Sequence, residues 1–328
     1  MVTTPSAGAH TERPIMSVER RVLVSNIMML KEKERFDRAI RERGYVPVWA
    51  NAAQFLSESD CLDLVGDVDG WLAGDDRITR RVLEAALPRL KVIAKWGTGV
   101  DSIDLAAAKD LGVPVLNSPG AFANAVAEIA LHSMLSLGRK LVMVDREVRK
   151  GNWPKPQGRE LAGCTLGMIG FGAIGRRIAE LGTCFGMNVL FSDPFVSTPV
   201  DLLGKAALPA SLTEIAEKAD YVCLACSYNA ENHHVVDAAF LARMKPTAHV
   251  VNVARGPLID EPALIRALQE GRIAGAGLDV FEQEPLASDN PLLGMDNVVL
   301  GSHNANNGRG AVEFVHENTL NNLSRILG

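Results

Sequence analysis

Six residues limit what this chain can fold into more than any others: Gly170-Phe171-Gly172-Ala173-Ile174-Gly175. They follow the apolar run Leu166-Gly167-Met168-Ile169 and lead into a helical pattern from Arg176 to Leu181. A G-x-G-x-x-G turn therefore stands between a strand and a helix, the setting in which it binds a dinucleotide. Gly170 permits the tight turn, Gly172 lets a pyrophosphate approach the backbone, and Gly175 lets helix pack on strand. The first helical turn, with Ala173 and Ile174, offers free N–H groups and a positive dipole end to phosphates. An acid is expected about 20 residues further on, to take the adenosine ribose hydroxyls. Asp193 stands there, at the end of Val189-Leu190-Phe191-Ser192. Its carboxylate repels a 2′-phosphate and no Arg or Lys follows it at once, so NAD is expected rather than NADP.

The rest of the chain alternates β runs with helical stretches, which argues for parallel sheets with helices on both faces. Runs at 21–25, 45–49, 68–72, 92–96 and 113–116 read as strands of a first lobe. After the break Asn117-Ser118-Pro119-Gly120, one long helix is expected from Phe122 to Lys150, ended by Gly151-Asn152-Trp153-Pro154. Runs at 166–170, 188–192, 220–225, 249–253, 274–278 and 298–301 then supply the six strands of a doubly wound dinucleotide-binding sheet. Ser211-Leu212-Thr213-Glu214 is a capping box, and Asp260-Glu261-Pro262 marks a second helix start. The stretch from Gly310 to Leu327 is helical, and its return to the first lobe makes that lobe discontinuous. The expected fold class is α/β with two lobes. Residues 1–20 are expected to form a flexible tail, residues 21–118 with 305–328 a smaller α/β substrate (catalytic) domain, and residues 119–304 a Rossmann NAD-binding domain.

Composition supplies the exclusions. The chain of 328 residues is 47% hydrophobic and 22% charged, which excludes a disordered chain. A net charge of −5 makes nucleic acid a poor partner. No apolar run is long enough for a transmembrane helix, so no membrane partner is expected. The cysteines Cys61, Cys164, Cys184, Cys223 and Cys226 are odd in number, which fits a reducing cytoplasm better than a disulfide framework. Cys223 and Cys226 form a C-x-x-C spacing, but within an apolar strand run, and read as small core residues rather than metal ligands. No metal is expected, and His233-His234 reads as loop surface.

Redox chemistry at a hydroxyl carbon needs a cation for the substrate, a general acid/base, and a partner for that base. Three successive strand runs end in such groups: Arg255 after 249–253, the acids Asp279, Glu282 and Glu284 after 274–278, and His303 after 298–301. Together with Gly97-Thr98-Gly99-Val100-Asp101 and Ala125-Val126-Ala127-Glu128, these motifs resemble the D-isomer-specific 2-hydroxyacid dehydrogenase family, in its phosphoglycerate dehydrogenase and hydroxypyruvate–glyoxylate reductase branch. The resemblance runs from about Arg21 to Leu327.

The resemblance implies a flavodoxin-like smaller lobe, a cleft that closes on substrate, and a homodimer. It implies an NAD-dependent enzyme that interconverts a small D-2-hydroxy acid and its 2-keto acid. Arg255 matches the family's substrate-binding arginine, whose fork suits a carboxylate and a keto oxygen. His303 matches the acid/base, and Glu284 its partner carboxylate, which favours the imidazolium. Asp279 matches the acid that orients the nicotinamide carboxamide, and Ala254 a residue beside the cofactor. Thr98 and Gly99 match the loop whose N–H groups hold the substrate carboxylate.

Several positions depart from the family pattern. Ser302 replaces a common Pro, Asn304-Ala305-Asn306-Asn307 makes the surroundings of His303 more polar, and Ala225-Cys226-Ser227-Tyr228-Asn229 is an unusual adenosine-side loop. Where phosphoglycerate dehydrogenases tend to place a base, Asp75 and Asp76 stand instead, and two acids are expected to repel a substrate phosphate. Phosphoglycerate dehydrogenase proper is thus the alternative within the class. Thr98 stands where the phosphite-oxidising branch has a lysine. The chain ends soon after the returning helix, so an extra C-terminal regulatory domain and feedback by serine are not expected. An alternative of another class is an NAD(H)-sensing, corepressor-like binding protein, since such relatives can retain Arg255, Glu284 and His303.

Overall fold

The computed structural model describes residues 19–328. The tail expected over residues 1–20 falls outside them but for its last two residues, and Arg20 already opens the first strand. The chain divides into two compact units. One takes the chain up to Ala94, Asp104–Leu116 and Leu320–Gly328; the other takes Lys95–Ile103 and Asn117–Thr319. The run carrying Thr98 and Gly99, read from sequence as part of 21–118, thus groups with the larger unit.

The smaller unit is built on β1 (Arg20–Val24), β2 (Tyr45–Trp49), β3 (Gly70–Ala73), β4 (Val92–Lys95) and β5 (Val115–Leu116), in the order β2-β1-β3-β4-β5. That is the flavodoxin-like order. Val22, Leu23 and Val24 of β1 and Trp71, Leu72 and Ala73 of β3 are fully buried, as expected of strands covered on both faces. Asp76 lies at the end of β3 and is 0% exposed. Its carboxylate accepts the N–H groups of Leu56 (2.9 Å) and Gly74 (2.9 Å) and the hydroxyl of Ser25 (2.5 Å). The Ser25 oxygen in turn accepts the indole N–H of Trp71 at 2.7 Å. Asp76 is therefore an internal strut. This corrects the expectation that Asp75 and Asp76 both face a ligand: only Asp75 is exposed.

The larger unit holds β6 (Thr165–Ile169), β7 (Asn188–Ser192), β8 (Val200–Leu202), β9 (Lys205–Pro209), β10 (Tyr221–Leu224), β11 (His249–Asn252), β12 (Gly275–Leu278) and β13 (Val298–Leu300). The order is β13-β12-β11-β10-β6-β7-β9-β8, with every pairing parallel except β8–β9. All six expected strands are present. The hairpin β8–β9 is additional, and turns through Leu203 and Gly204 at φ 54° and 83°. Tyr221 to Leu224 are all fully buried at the centre of the sheet.

The single helix expected from Phe122 to Lys150 is two helices, Ala123–Arg139 and Leu141–Arg149, separated by Lys140 at φ 56°. The reason is a long-range hydrogen bond. The carbonyl of Gly138, which a continuous helix would offer to residue 142, accepts the N–H of Arg159 at 2.7 Å instead. No helix among the described residues is long and apolar enough to cross a membrane.

His249 opens β11, buried and stacked on Tyr221 with ring centroids 5.0 Å apart. Its Nδ1 has no hydrogen-bond partner. Burial, reinforced by the charge of Arg159, pulls its pKa down to about 4. An unfolded chain protonates this ring near 6.5 whereas the folded chain keeps it neutral, so stability is lost as pH falls through that window. His249→Phe keeps the stacked ring without the titrating group. It is expected to lose less thermal stability between pH 7 and pH 5 than the wild type, as read by melting curves at each pH.

Candidate active site

Because the strands run parallel, their carboxyl ends share one edge, and the loops that leave them meet there. The first is the glycine turn after β6. Gly170 stands at φ 94°, and a Cβ on it would lie 2.5 Å from the amide nitrogen of Cys226. A Cβ on Gly175 would overlap the carbonyl of Gly170, whereas one on Gly172 would meet nothing within 4 Å. Gly172 heads the helix Ala173–Cys184 with no side-chain cap on the first-turn amides, those of Ala173 and Ile174 among them. Asp193 is fixed beside this turn by accepting the N–H groups of Phe171 (2.7 Å) and Phe195 (2.9 Å). Bare amides, room in front of Gly172 and an anchored acid together fit a dinucleotide with free ribose hydroxyls.

Ala254 and Arg255 leave β11. The turn is set by Asn252, whose side chain accepts the N–H of Ala254 (3.0 Å) and donates to the carbonyl of Arg255 (2.9 Å). The guanidinium donates from Nε (3.2 Å) and Nη2 (3.1 Å) to the two oxygens of Asp101, 154 residues away, and from Nη1 to the carbonyl of Ala254 (2.8 Å). It lies so close over Gly99 that any Cβ there would overlap it. The Thr98 backbone beside it is held by the amide of Asn117, which donates to the Thr98 carbonyl at 2.6 Å. The pairing of Arg255 with Asp101 was not legible in the sequence, where Asp101 is one residue of a loop motif.

His303 follows β13 in the left-handed region, at φ 55°. Its Nδ1 lies 2.7 Å from Oε2 of Glu284, whose Oε1 accepts the N–H of Phe281 at 3.0 Å. Burial pushes the Glu284 carboxyl up. The hydrogen bond and charge of His303, the Phe281 amide and the charge of Arg255 together outweigh it and hold the group below the usual carboxylate range. Asp279 is 5% exposed, and its two oxygens accept the N–H groups of Asn304 (3.1 Å) and Ala305 (2.9 Å). Its carbonyl accepts the N–H of His303 at 2.7 Å. Burial raises the Asp279 carboxyl, and those two amides and the charge of His303 only partly oppose it.

The model of the D-isomer specific 2-hydroxyacid dehydrogenase NAD binding domain matches residues 131–305, which carry Gly170 to Gly175, Asp193, Arg255, Asp279, Glu284 and His303 but not Thr98, Gly99 or Asp101. The chain belongs to the D-isomer-specific 2-hydroxyacid dehydrogenase family. It is 36% identical over 322 residues to a glyoxylate reductase of Thermococcus onnurineus, covering 95% of this chain and 92% of that one. A D-3-phosphoglycerate dehydrogenase of Methanocaldococcus jannaschii is 38% identical over 251 residues, 76% of this chain but 48% of that one. The crystal structure of a D-lactate dehydrogenase from Aquifex aeolicus, complexed with NAD and lactic acid, superposes with a TM-score of 0.81 at 30% identity, covering 92% and 93% of the two chains.

Other features stand apart from this sheet edge. A cavity of about 850 Å³ lies at the opposite, amino end of β11–β13, among Leu137, Met143, Arg159, His249 and Asn297. No group of three His, Cys, Asp or Glu side chains suited to a metal occurs among the described residues. Cys223 is buried in β10 and Cys226 lies just beyond it; both are free thiols. Asp101→Asn leaves the Arg255 fork one acceptor in place of two. It is expected to raise KM for the keto acid more than it lowers kcat, with kcat/KM down about tenfold, an energy of about 1.4 kcal/mol. Steady-state kinetics check this.

Proposed function

We propose that this chain reduces a small 2-keto acid to the D-2-hydroxy acid, and catalyses the reverse oxidation, with Arg255, Glu284 and His303 as its catalytic residues. The observation that carries the reading is the 2.7 Å contact of His303 with Glu284 at the same sheet edge as the glycine turn. Bound NADH supplies the hydride. The turn Gly170–Gly175 with Ala173 and Ile174 would hold its pyrophosphate, Asp193 its adenosine ribose, and Ala254 and Asp279 its nicotinamide end. Each Asp279 oxygen has a second lone pair for a carboxamide beyond the amide it already accepts.

Arg255 binds the substrate carboxylate and polarises the keto group, and the amides of Thr98 and Gly99 complete the carboxylate site. Ionised Glu284 favours the imidazolium, so His303 donates its proton to the keto oxygen as the alkoxide forms. In oxidation neutral His303 takes that proton back. Phosphoglycerate dehydrogenase proper is kept as a second reading for one reason. With Asp76 buried as a strut, the expected double negative charge beside a substrate phosphate is reduced to Asp75.

The helix Leu141–Arg149 has no buried residue, and Leu141, Val142 and Val148 are exposed, as is Trp153 at 77%. This apolar surface supports a homodimer, which sedimentation would test. Five unpaired thiols suit a reducing compartment, and we place the protein in the cytoplasm.

NADH oxidation with glyoxylate, hydroxypyruvate, pyruvate and 3-phosphohydroxypyruvate tests the reading. Turnover of the unphosphorylated acids is expected, with kcat/KM reduced by about 100-fold or more in Arg255→Ala, the loss of a bidentate charged contact. Turnover of the phosphorylated acid alone selects the second reading. NADH binding without turnover selects the nucleotide sensor. In Glu284→Gln the imidazolium loses its carboxylate, so the pH at which reduction declines is expected to move down. A pH–rate profile measures this.

A further inference from the structure

Residues 225–237 leave the carboxyl end of β10 and cross to the loops after β11 and β12. At the near end Cys226 packs on Gly170. In the middle the loop closes on itself. The Asn229 side chain accepts the N–H groups of Glu231 (2.9 Å) and Asn232 (3.1 Å), and the Asn232 side chain accepts the N–H of Asn229 (2.8 Å) and donates to the carbonyl of Ser227 (2.7 Å). At the far end His234 stands at φ 54°. Its N–H donates to the carbonyl of Pro257 at 2.9 Å, and its Nε2 lies 2.6 Å from Oε1 of Glu282. Val236 continues the contact, donating to the carbonyl of Leu258 at 3.1 Å.

A left-handed conformation is unfavourable for a residue with a Cβ, and it persists where the surroundings over-determine it. Here they do, from both sides. Pro257 is two residues past Arg255, and Glu282 two before Glu284. Glu282 is gripped by Glu261 as well: its N–H donates to Glu261 Oε2 (3.2 Å), and its Oε1 accepts the Glu261 N–H (3.4 Å). The backbone of Phe281 and Glu282 lies against Gly256 with no room for a side chain there. His234 is thus a polar side chain that ties the loop after β10 to the short segment bearing Glu284.

We propose that His234 is a positioning residue for the acid–base pair. It holds Glu282, Glu282 holds the segment from which Glu284 meets His303, and the Pro257 contact steadies the turn that aims Arg255. The proposal rests on the reading of Arg255, Glu284 and His303 given above. The titratable groups that face His234 are Glu282 and, beyond it, Glu261, together with His233, stacked on it at 3.8 Å, and Tyr228, whose hydroxyl lies 3.3 Å from His233 Nδ1. Those facing His303 include Glu284 and Asp279.

The test compares wild type, His234→Phe and His234→Gln as full-length proteins, in NADH-dependent reduction of the best keto acid across pH 5.5–9. Phe keeps a planar ring without the donor; Gln keeps a donor. His234→Phe is expected to lower kcat about fivefold or more and to move the alkaline decline of reduction to lower pH, as Glu284 loses its hold on His303. KM for NADH is expected to stay within about twofold. His234→Gln is expected to restore most of kcat and the wild-type pH profile. A His234→Phe enzyme with wild-type kcat and pH profile overturns the proposal. So does an equal loss in both variants with an unshifted pH profile and a lower melting temperature, which is the signature of loop packing alone. If His234→Phe does not fold, Glu282→Ala carries the same expectations. A wild-type protein with no turnover of any keto acid rejects the dehydrogenase reading and, with it, a catalytic role for His234. Wild-type turnover with an unchanged variant rejects the positioning role alone.

Discussion

The amides of Asn304 and Ala305 end on the buried carboxylate of Asp279, and the place of His303 depends on that attachment. A carboxylate removed from water is costly unless it is hydrogen-bonded. Here both oxygens are bonded to the backbone that follows His303, so the group that needs partners and the loop that needs an anchor satisfy each other. The approach is close enough that Gly301 has no room for a side chain against Asp279. With the backbone fixed on both sides, His303 is kept in a left-handed conformation that an isolated chain would avoid. The contact with Glu284, and through Glu282 the contact with His234, are built onto that fixed point.

The parts of the site that stand at the ends of apolar runs were legible in the sequence. Gly170 to Gly175, Asp193, Arg255, Glu284 and His303 each lie within a few residues after a strand run, and in a parallel sheet the segments that leave the strands share an edge by construction. What was not legible depends on pairs far apart in the chain. Nothing local in Gly97 to Asp101 tells that both oxygens of Asp101 accept from Nε and Nη2 of Arg255. Nothing local in His233-His234 tells that His234 reaches a glutamate 48 residues later. The break at Lys140 is of the same kind. Periodicity runs straight through it, and only the long-range hydrogen bond of Arg159 to Gly138 removes an acceptor from the helix.

Asp76 shows how residue type alone misleads about charge. Beside Asp75 it reads as half of an acidic pair aimed at a ligand. In the fold its carboxylate binds two amides and the Ser25 hydroxyl between β1 and β3, so it belongs to the framework of the smaller unit. The discrimination between phosphorylated and unphosphorylated acids therefore cannot be read from a count of acids near β3. It depends on which of those charges reach water, and burial decides that.

The hairpin β8–β9 has an effect unrelated to catalysis. Without it the large sheet would end on β7, a strand of five residues with a row of open amides and carbonyls. As built, both outer strands, β8 and β13, are three residues long, and β8 carries Asp201 at its centre. Short, charged edges offer little template for another chain to add a strand. A large, buried, β-rich core is thereby made compatible with a crowded solution, where an unprotected edge invites aggregation.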